Sequence, residues 1–269
     1  MRDLNHLSEI VHSYDTYVID LWGVIHNGIS LNPKAIQVVE NLSENSKKIV
    51  FLSNAPRPSS KVIQFLKRMK MNDKFLSKVI TSGEAAMYAI NQNKFGNKFY
   101  HLGPSRDQSI FEKKLENKTS LINCDFILCT GLFDEHAEDL NYYKDLLKEH
   151  TSKKLICTNP DLIVHRGDKE ELCAGAVAKT FETLGGSVIY YGKPYKEIYQ
   201  MCFGLDEKVL AIGDNLRTDI KGANNLKIDS LFIYNGVHRN EIKDNKKELP
   251  NLLKKYNVRA NFIQKELEL

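Results

Sequence analysis

No stretch of this 269-residue chain is apolar for long enough to cross a bilayer; the most apolar run, residues 18–25, is short and contains Asp20. Residues 1–14 alternate polar and apolar side chains without an apolar core, so a secretory leader is not expected. The five cysteines (Cys124, Cys129, Cys157, Cys173, Cys202) are odd in number and form no C-x-x-C pair. That pattern argues against a disulfide framework or a zinc site and fits free thiols in a reducing compartment, hence a cytoplasmic location. The eight histidines are scattered and show no H-x-x-x-H spacing. No G-x-G-x-x-G follows the first strand, which argues against a dinucleotide-dependent dehydrogenase. Charge of one sign is scarce too: the net charge is +4, and the basic blocks at 243–247 and 254–255 are short and mixed with or flanked by other residues. A nucleic-acid partner is therefore not expected.

What is present is alternation. Residues 17–21 read as a first strand, and Pro33 opens an amphipathic helix that runs to about Asn45. Residues 48–52 read as a second strand, and 59–70 as a helix with Val62, Phe65, Leu66 and Met69 on one face. Ser82 is expected to cap the helix after a short strand at 79–80. Further strand and helix pairs continue to residue 233, with Gly185-Gly186 stopping one helix. This predicts an α/β protein with parallel sheets covered on both faces, and more βα units than one compact sheet holds.

In such sheets ligands bind beyond the carboxyl ends of the strands. Four strand ends carry chemistry-bearing residues: Asp20-Leu-Trp22-Gly23-Val24, Ser53-Asn54, Gly192-Lys193-Pro194, and Gly213-Asp214-Asn215 with Asp219 one turn on. Each alone has an ordinary turn or capping explanation. Together, in that order and over almost the whole chain, they resemble the four motifs of the haloacid dehalogenase superfamily.

The resemblance implies a Rossmann-like, doubly wound parallel-sheet core interrupted by an α/β cap of class IIA. The core would comprise residues 1–82 and 187–269, and the cap residues 83–186. Asn159-Pro160-Asp161, Cys173-Ala174-Gly175 and Ser82-Gly83-Glu84 look like the nitrophenylphosphatase-like and pyridoxal-phosphatase-like branch, and the D-x-W-G-V start like a subgroup known mainly from bacteria. The implied activity is Mg²⁺-dependent hydrolysis of a small phosphorylated metabolite through an aspartyl-phosphate on Asp20. Phosphoryl transfer of this kind depends on positioning and charge neutralisation. By similarity Asp20, the Trp22 carbonyl and Asp214 would bind the metal. Ser53 and Asn54 would bind the phosphoryl oxygens, Lys193 would supply a positive charge, and Asn215 and Asp219 would orient Lys193 or the metal's waters. Caps in this branch often mediate dimers, so a homodimer fits the resemblance.

One position departs from it. Most phosphatases of this superfamily carry a second Asp two residues after the nucleophile, acting as acid and then base, where this chain has Trp22. An indole N–H only donates and cannot shuttle a proton. Either another acid serves, with His26 the nearest candidate, or the protein binds phosphorylated ligands and turns them over poorly. Asn159, Asp161, His165 and Arg166 fall near a cap loop that would face substrate. A phospho-receiver module shares the Asp, Ser/Thr and Lys pattern, but the cap-sized insertion argues against it.

Overall fold

A computed structural model describes residues 1–242 and 246–269, so three positions of the basic block at 243–247 lie outside the described residues. In chain order the regular elements are β1 (Arg2–Asp3), β2 (Thr16–Ile19), α1 (Pro33–Glu44), β3 (Lys48–Ser53), α2 (Ser59–Arg68), β4 (Val79–Thr81) and α3 (Ser82–Asn91). Then come β5 (Phe99–Leu102), β6 (Phe126–Cys129), α4 (Leu140–Leu147), β7 (Lys154–Cys157), β8 (Ile163–Arg166), β9 (Lys169–Leu172), α5 (Ala174–Thr183) and β10 (Ser187–Tyr190). The chain continues through α6 (Lys196–Tyr199), β11 (Val209–Gly213), α7 (Lys221–Leu226), β12 (Asp229–Ile233), α8 (Arg239–Ile242), α9 (Leu249–Tyr256) and β13 (Phe262–Gln264).

Two parallel sheets result. The larger has the order β1-β13-β12-β11-β2-β3-β4, and the smaller β10-β7-β6-β5. The larger winds outward both ways from its middle, β2 to β3 to β4 on one side and β11 to β12 to β13 on the other. Its switch point lies between β2 and β11, which pair in register from Thr16 with Val209 to Ile19 with Ile212. The next residue on β2 is Asp20, and β11 runs one further to Gly213 and then Asp214. The topology alone brings these two acids together at a crevice.

Burial on both faces explains the continuous apolar strands. Tyr17, Ile19 and Phe51 pack with Val38, Val39 and Leu42 of α1 and with Val62 and Leu66 of α2. The alternate residues Val18, Val50 and Leu52 pack on the other face with Ile198, Tyr199 and Cys202. Each fully buried side chain of this kind contributes about 1.5–3 kcal/mol relative to exposure. α1 starts as its sequence suggests, with Asn32 accepting from the Lys34 N–H at 3.1 Å and Pro33 in the first turn.

Three local expectations need correction. Thr81, not Ser82, caps α3: its hydroxyl accepts from the Glu84 N–H at 3.1 Å. The Ser82 hydroxyl instead donates to Thr158 O at 2.6 Å, joining the chain's exit from the larger sheet to the tip of β7. The strand Ser187–Tyr190, expected in the core segment 187–269, pairs with β7 in the smaller sheet, so that sheet extends past residue 186. Finally, residues 163–172 form an antiparallel hairpin, β8–β9, where the sequence suggested only a loop. Its two-residue turn is Gly167-Asp168, with Gly167 at φ +61°, the conformation such hairpin turns require.

Candidate active site

The four sequence motifs converge on one cavity of about 700 Å³, lined also by the β8–β9 hairpin and by Arg57 and Asp107. Asp20, Lys193, Asp214 and Asp219 are all buried. The Lys193 ammonium donates to Asp20 Oδ1, to Asp219 Oδ1 at 2.6 Å and to the Leu52 carbonyl at 3.0 Å. Burial pulls this ammonium down, but Asp20, Asp219 and Asp161 outweigh it and hold Lys193 well above its ordinary value. Lys193 is charged at any physiological pH.

Carboxylates of Asp20, Asp214 and Asp219 reach to within 4.8 Å of one another. Burial pushes Asp20 up to about 8 against the pull of Lys193, and burial with the Asp20 charge pushes Asp214 well above the ordinary carboxylate range. Three acids thus face a single bound ammonium, and a divalent cation would supply the missing positive charge. The oxygens divide naturally. Both Asp219 oxygens are engaged, Oδ1 by Lys193 and Oδ2 by the Asn215 N–H at 3.1 Å, which suits an orienting role. Asp214 Oδ2 accepts from the Val237 N–H at 2.7 Å. These hard oxygen donors fit a hard divalent cation.

Glycine makes room for this. A Cβ on Gly23, at φ +88°, would stand 2.0 Å from Asp214 Oδ2, so the loop after Asp20 can pass this close only without a side chain.

Ser53 and Asn54 sit at the end of β3, both buried. Ser53 Oγ accepts from the Ala55 N–H at 3.2 Å. The Asn54 side chain is committed to the backbone of Lys193, accepting from its N–H at 2.8 Å and donating to its carbonyl at 3.3 Å. That double contact locks the strand end carrying Ser53 to the loop carrying Lys193.

His26 lines the cavity, but its side chain is already engaged. It is buried, its ring packs edge-on against Trp22 and Phe65, and its Nδ1 accepts from the Gly28 N–H at 3.0 Å. Burial, with Arg166 nearby, holds it down to about 4, so near neutrality its cationic form is scarce. Trp22 is half-exposed and donates from Nε1 to the His165 carbonyl at 2.9 Å.

All four cap-loop candidates line the cavity, and Asp161 bonds directly to the strand-end motif at Asn215. It is half-buried on the cavity wall and accepts from Asn215 Nδ2 at 3.0 Å and Thr218 Oγ1 at 3.1 Å. Burial pushes it up to about 6, with Lys193 pulling it down. Asn159 turns back locally, accepting from the Asp161 N–H at 3.0 Å. His165 is buried, with Nε2 3.6 Å from Glu170 Oε2, and Arg166 lies over the Trp22 ring while pairing with Glu171 at 3.2 Å. Sequence reasoning missed Thr218 and the Arg57–Asp107 pair, in which Arg57 Nε donates to buried Asp107 Oδ1 at 2.5 Å across the cavity. Nothing in the spacing of residues 50 positions apart signals that pair.

A family model described as haloacid dehalogenase-like hydrolase matches residues 17–114, and a second, HAD-hydrolase-like, matches residues 190–256. Together they span more than half of the chain. A 5′-nucleotidase of Bacillus subtilis is 25% identical over 254 residues, covering 88% of this chain and 94% of its own. An acid sugar phosphatase of Staphylococcus haemolyticus is 24% identical over 263 residues, covering 95% and 99%. A solved haloacid dehalogenase-like hydrolase from Brucella suis superposes with a TM-score of 0.86 at 28% identity, covering 98% of this chain and 99% of that one.

Proposed function

The chain belongs to the haloacid dehalogenase superfamily of hydrolases, class IIA, and we propose that it is a Mg²⁺-dependent phosphatase of a small phosphorylated metabolite. The observation that carries this reading is the convergence of Asp20, Lys193, Asp214 and Asp219 at the switch point of the larger sheet. Relatives named as phosphatases acting on sugar phosphates and nucleotides support the reaction class.

In this reading the larger sheet is the catalytic core and the smaller sheet with its hairpin is the cap. Asp20, the Trp22 carbonyl and Asp214 would hold Mg²⁺, which supplies charge neutralisation between an anionic nucleophile and an anionic substrate. Asp20 attacks phosphorus, the bond to the leaving oxygen breaks, and an aspartyl-phosphate forms that water later hydrolyses. Lys193, fixed by Asp219 and Asn54, faces the phosphoryl oxygens with a charge that needs no reorganisation. Ser53 adds a hydroxyl donor. Five free, buried cysteines suit a reducing compartment, which supports a cytoplasmic enzyme.

A second reading, a ligand-binding protein with weak turnover, draws on Trp22, whose indole N–H is already committed to His165. Phosphate release from a panel of aryl, sugar and nucleotide esters separates the two. Release that requires Mg²⁺, stops with EDTA and is lost in Asp20→Asn is the expected result. No release from any ester, with tight binding retained, would favour the second reading.

A further inference from the structure

Trp22 occupies the position of the usual acid, and its surroundings point to a different use. The indole lies between two chain segments. Beneath it, a Cβ on Gly28 would come within 2.5 Å of Cζ2, so the bare backbone forms the floor. Above it, the Arg166 guanidinium sits 4.9 Å from the ring centre, held by Glu171 at 3.2 Å and reaching Gly28 O at 3.4 Å. The indole N–H donates to the His165 carbonyl on β8 at 2.9 Å. Two more hydrogen bonds pin the hairpin turn: the Gly167 N–H donates to Asn27 O at 3.0 Å, and Arg239 Nη2 donates to Gly167 O at 2.8 Å.

We propose that Trp22 is a positioning residue whose indole seats the tip of the β8–β9 hairpin over the catalytic cavity. In this arrangement the His165 ring is buried, with Nε2 3.6 Å from Glu170 Oε2. The N–H and the face of the indole act together with the Gly167–Asn27 and Arg239–Gly167 hydrogen bonds to hold the hairpin down. Docking, in turn, encloses the cavity wall that includes Asp161, Ile163 and Val164.

The test is amide hydrogen exchange of residues 163–172 in the full chain, comparing wild type with Trp22→Phe and Trp22→Ala. Phenylalanine keeps a ring for Arg166 and Gly28 but removes the donor; alanine removes both. Exchange in the hairpin should quicken about tenfold in Trp22→Phe and roughly a hundredfold in Trp22→Ala. Amides of β2, β3 and β11 should keep their wild-type rates. If Trp22→Ala does not fold, Arg166→Ala tests the ring face from the other side and should quicken the hairpin alone. Hairpin exchange at the wild-type rate in these variants would overturn the proposal, and so would equal acceleration throughout the chain. This readout needs no turnover, so it stands apart from the phosphatase reading on which the kinetic corollary rests. That corollary is a KM that rises by a larger factor than kcat changes, since an open hairpin lowers the fraction of protein competent to bind. A fall in kcat at constant KM would place the indole in the chemistry instead and overturn the positioning role.

Discussion

Lys193 meets Asp219 at 2.6 Å inside the site, and this pair aims the ammonium at Asp20 rather than at solvent. Both side chains are almost fully buried, so neither charge is compensated by water. Truncating one partner of such a pair costs about 3–5 kcal/mol when the other is stranded. Here the two truncations are unequal. Lys193→Met strands Asp20 and Asp219 beside Asp214, whereas Asp219→Asn removes one acid from a site that has an excess of them. We expect the denaturation midpoint in EDTA to fall much further for Lys193→Met than for Asp219→Asn. Mg²⁺ should recover part of the Lys193→Met loss. Equal losses would mean that the acids are not competing for one cation.

The same excess of acid fixes the pH dependence of the metal-free protein. Asp20 binds its proton more tightly folded, at about 8, than its ordinary 3.8, and Asp214 is shifted in the same direction. A carboxyl raised by folding contributes stability at low pH that is lost as pH rises toward its folded value. His26, His101 and His238 act oppositely, because burial holds each down to about 4. Their contribution is complete above their ordinary 6.5 and is lost as pH falls from there toward about 4. Between about pH 6.5 and 8, then, the carboxylates set the slope. The melting temperature in EDTA should fall across that window, and saturating Mg²⁺ should flatten the fall. A rising melting temperature without metal would refute the direction assigned to Asp20.

The strand tips were legible because parallel strands buried on both faces must be continuously apolar, so a polar residue at their ends stands out. Asp20 after Val18-Ile19 and Asp214 after Ile212-Gly213 are such cases, and the order of the sheet then places them side by side. The β8–β9 hairpin was not legible, because Ile163-Val164-His165-Arg166 and Lys169-Glu170-Glu171-Leu172 lack strict apolar–polar alternation. Nothing in the sequence signalled that His26, the nearest candidate acid, would be buried with its Nδ1 accepting from the Gly28 N–H. The partner of the Trp22 indole, a backbone carbonyl at residue 165, leaves no trace in side-chain identity.

Two glycines at positive φ provide a controlled comparison. Gly28 (φ +84°) lies under the indole, with 2.5 Å between a built Cβ and Cζ2, while Gly185 (φ +89°) has nothing within 4 Å. Alanine at either position carries the cost of a left-handed conformation, about 1–2 kcal/mol. Gly28→Ala adds overpacking of about 1–3 kcal/mol. Chemical denaturation should therefore rank Gly28→Ala well below Gly185→Ala in stability, and Gly28→Ala should also raise KM by displacing Trp22. Matching losses for the two variants would mean that the indole moves aside freely.

The source of the proton can be read from leaving groups. An aryl phosphate departs as a weak base and needs little help, whereas an alkyl phosphate such as a sugar phosphate leaves badly without a proton. General acid catalysis supplies roughly 10²–10⁴-fold in such cases. Trp22 cannot give that help, and His26 holds its proton too weakly near neutrality. Asp161 is the cavity-wall carboxyl that bonds Asn215 and Thr218 beside the core motifs, and at about 6 it keeps a proton that an ordinary aspartate would lose by pH 5. Asp161→Asn should therefore depress alkyl-ester turnover far more than aryl-ester turnover, while His26→Ala should change their ratio little. The ratio of alkyl to aryl turnover in the unaltered protein should fall as pH rises through about 6, since Asp161 then loses its proton. Trp22→Asp restores a carboxyl at the usual position but removes the indole on which the hairpin tip rests, so alkyl-ester turnover should recover only in part and at a raised KM. A ratio that is flat with pH and unmoved by Asp161→Asn would take the proton away from Asp161.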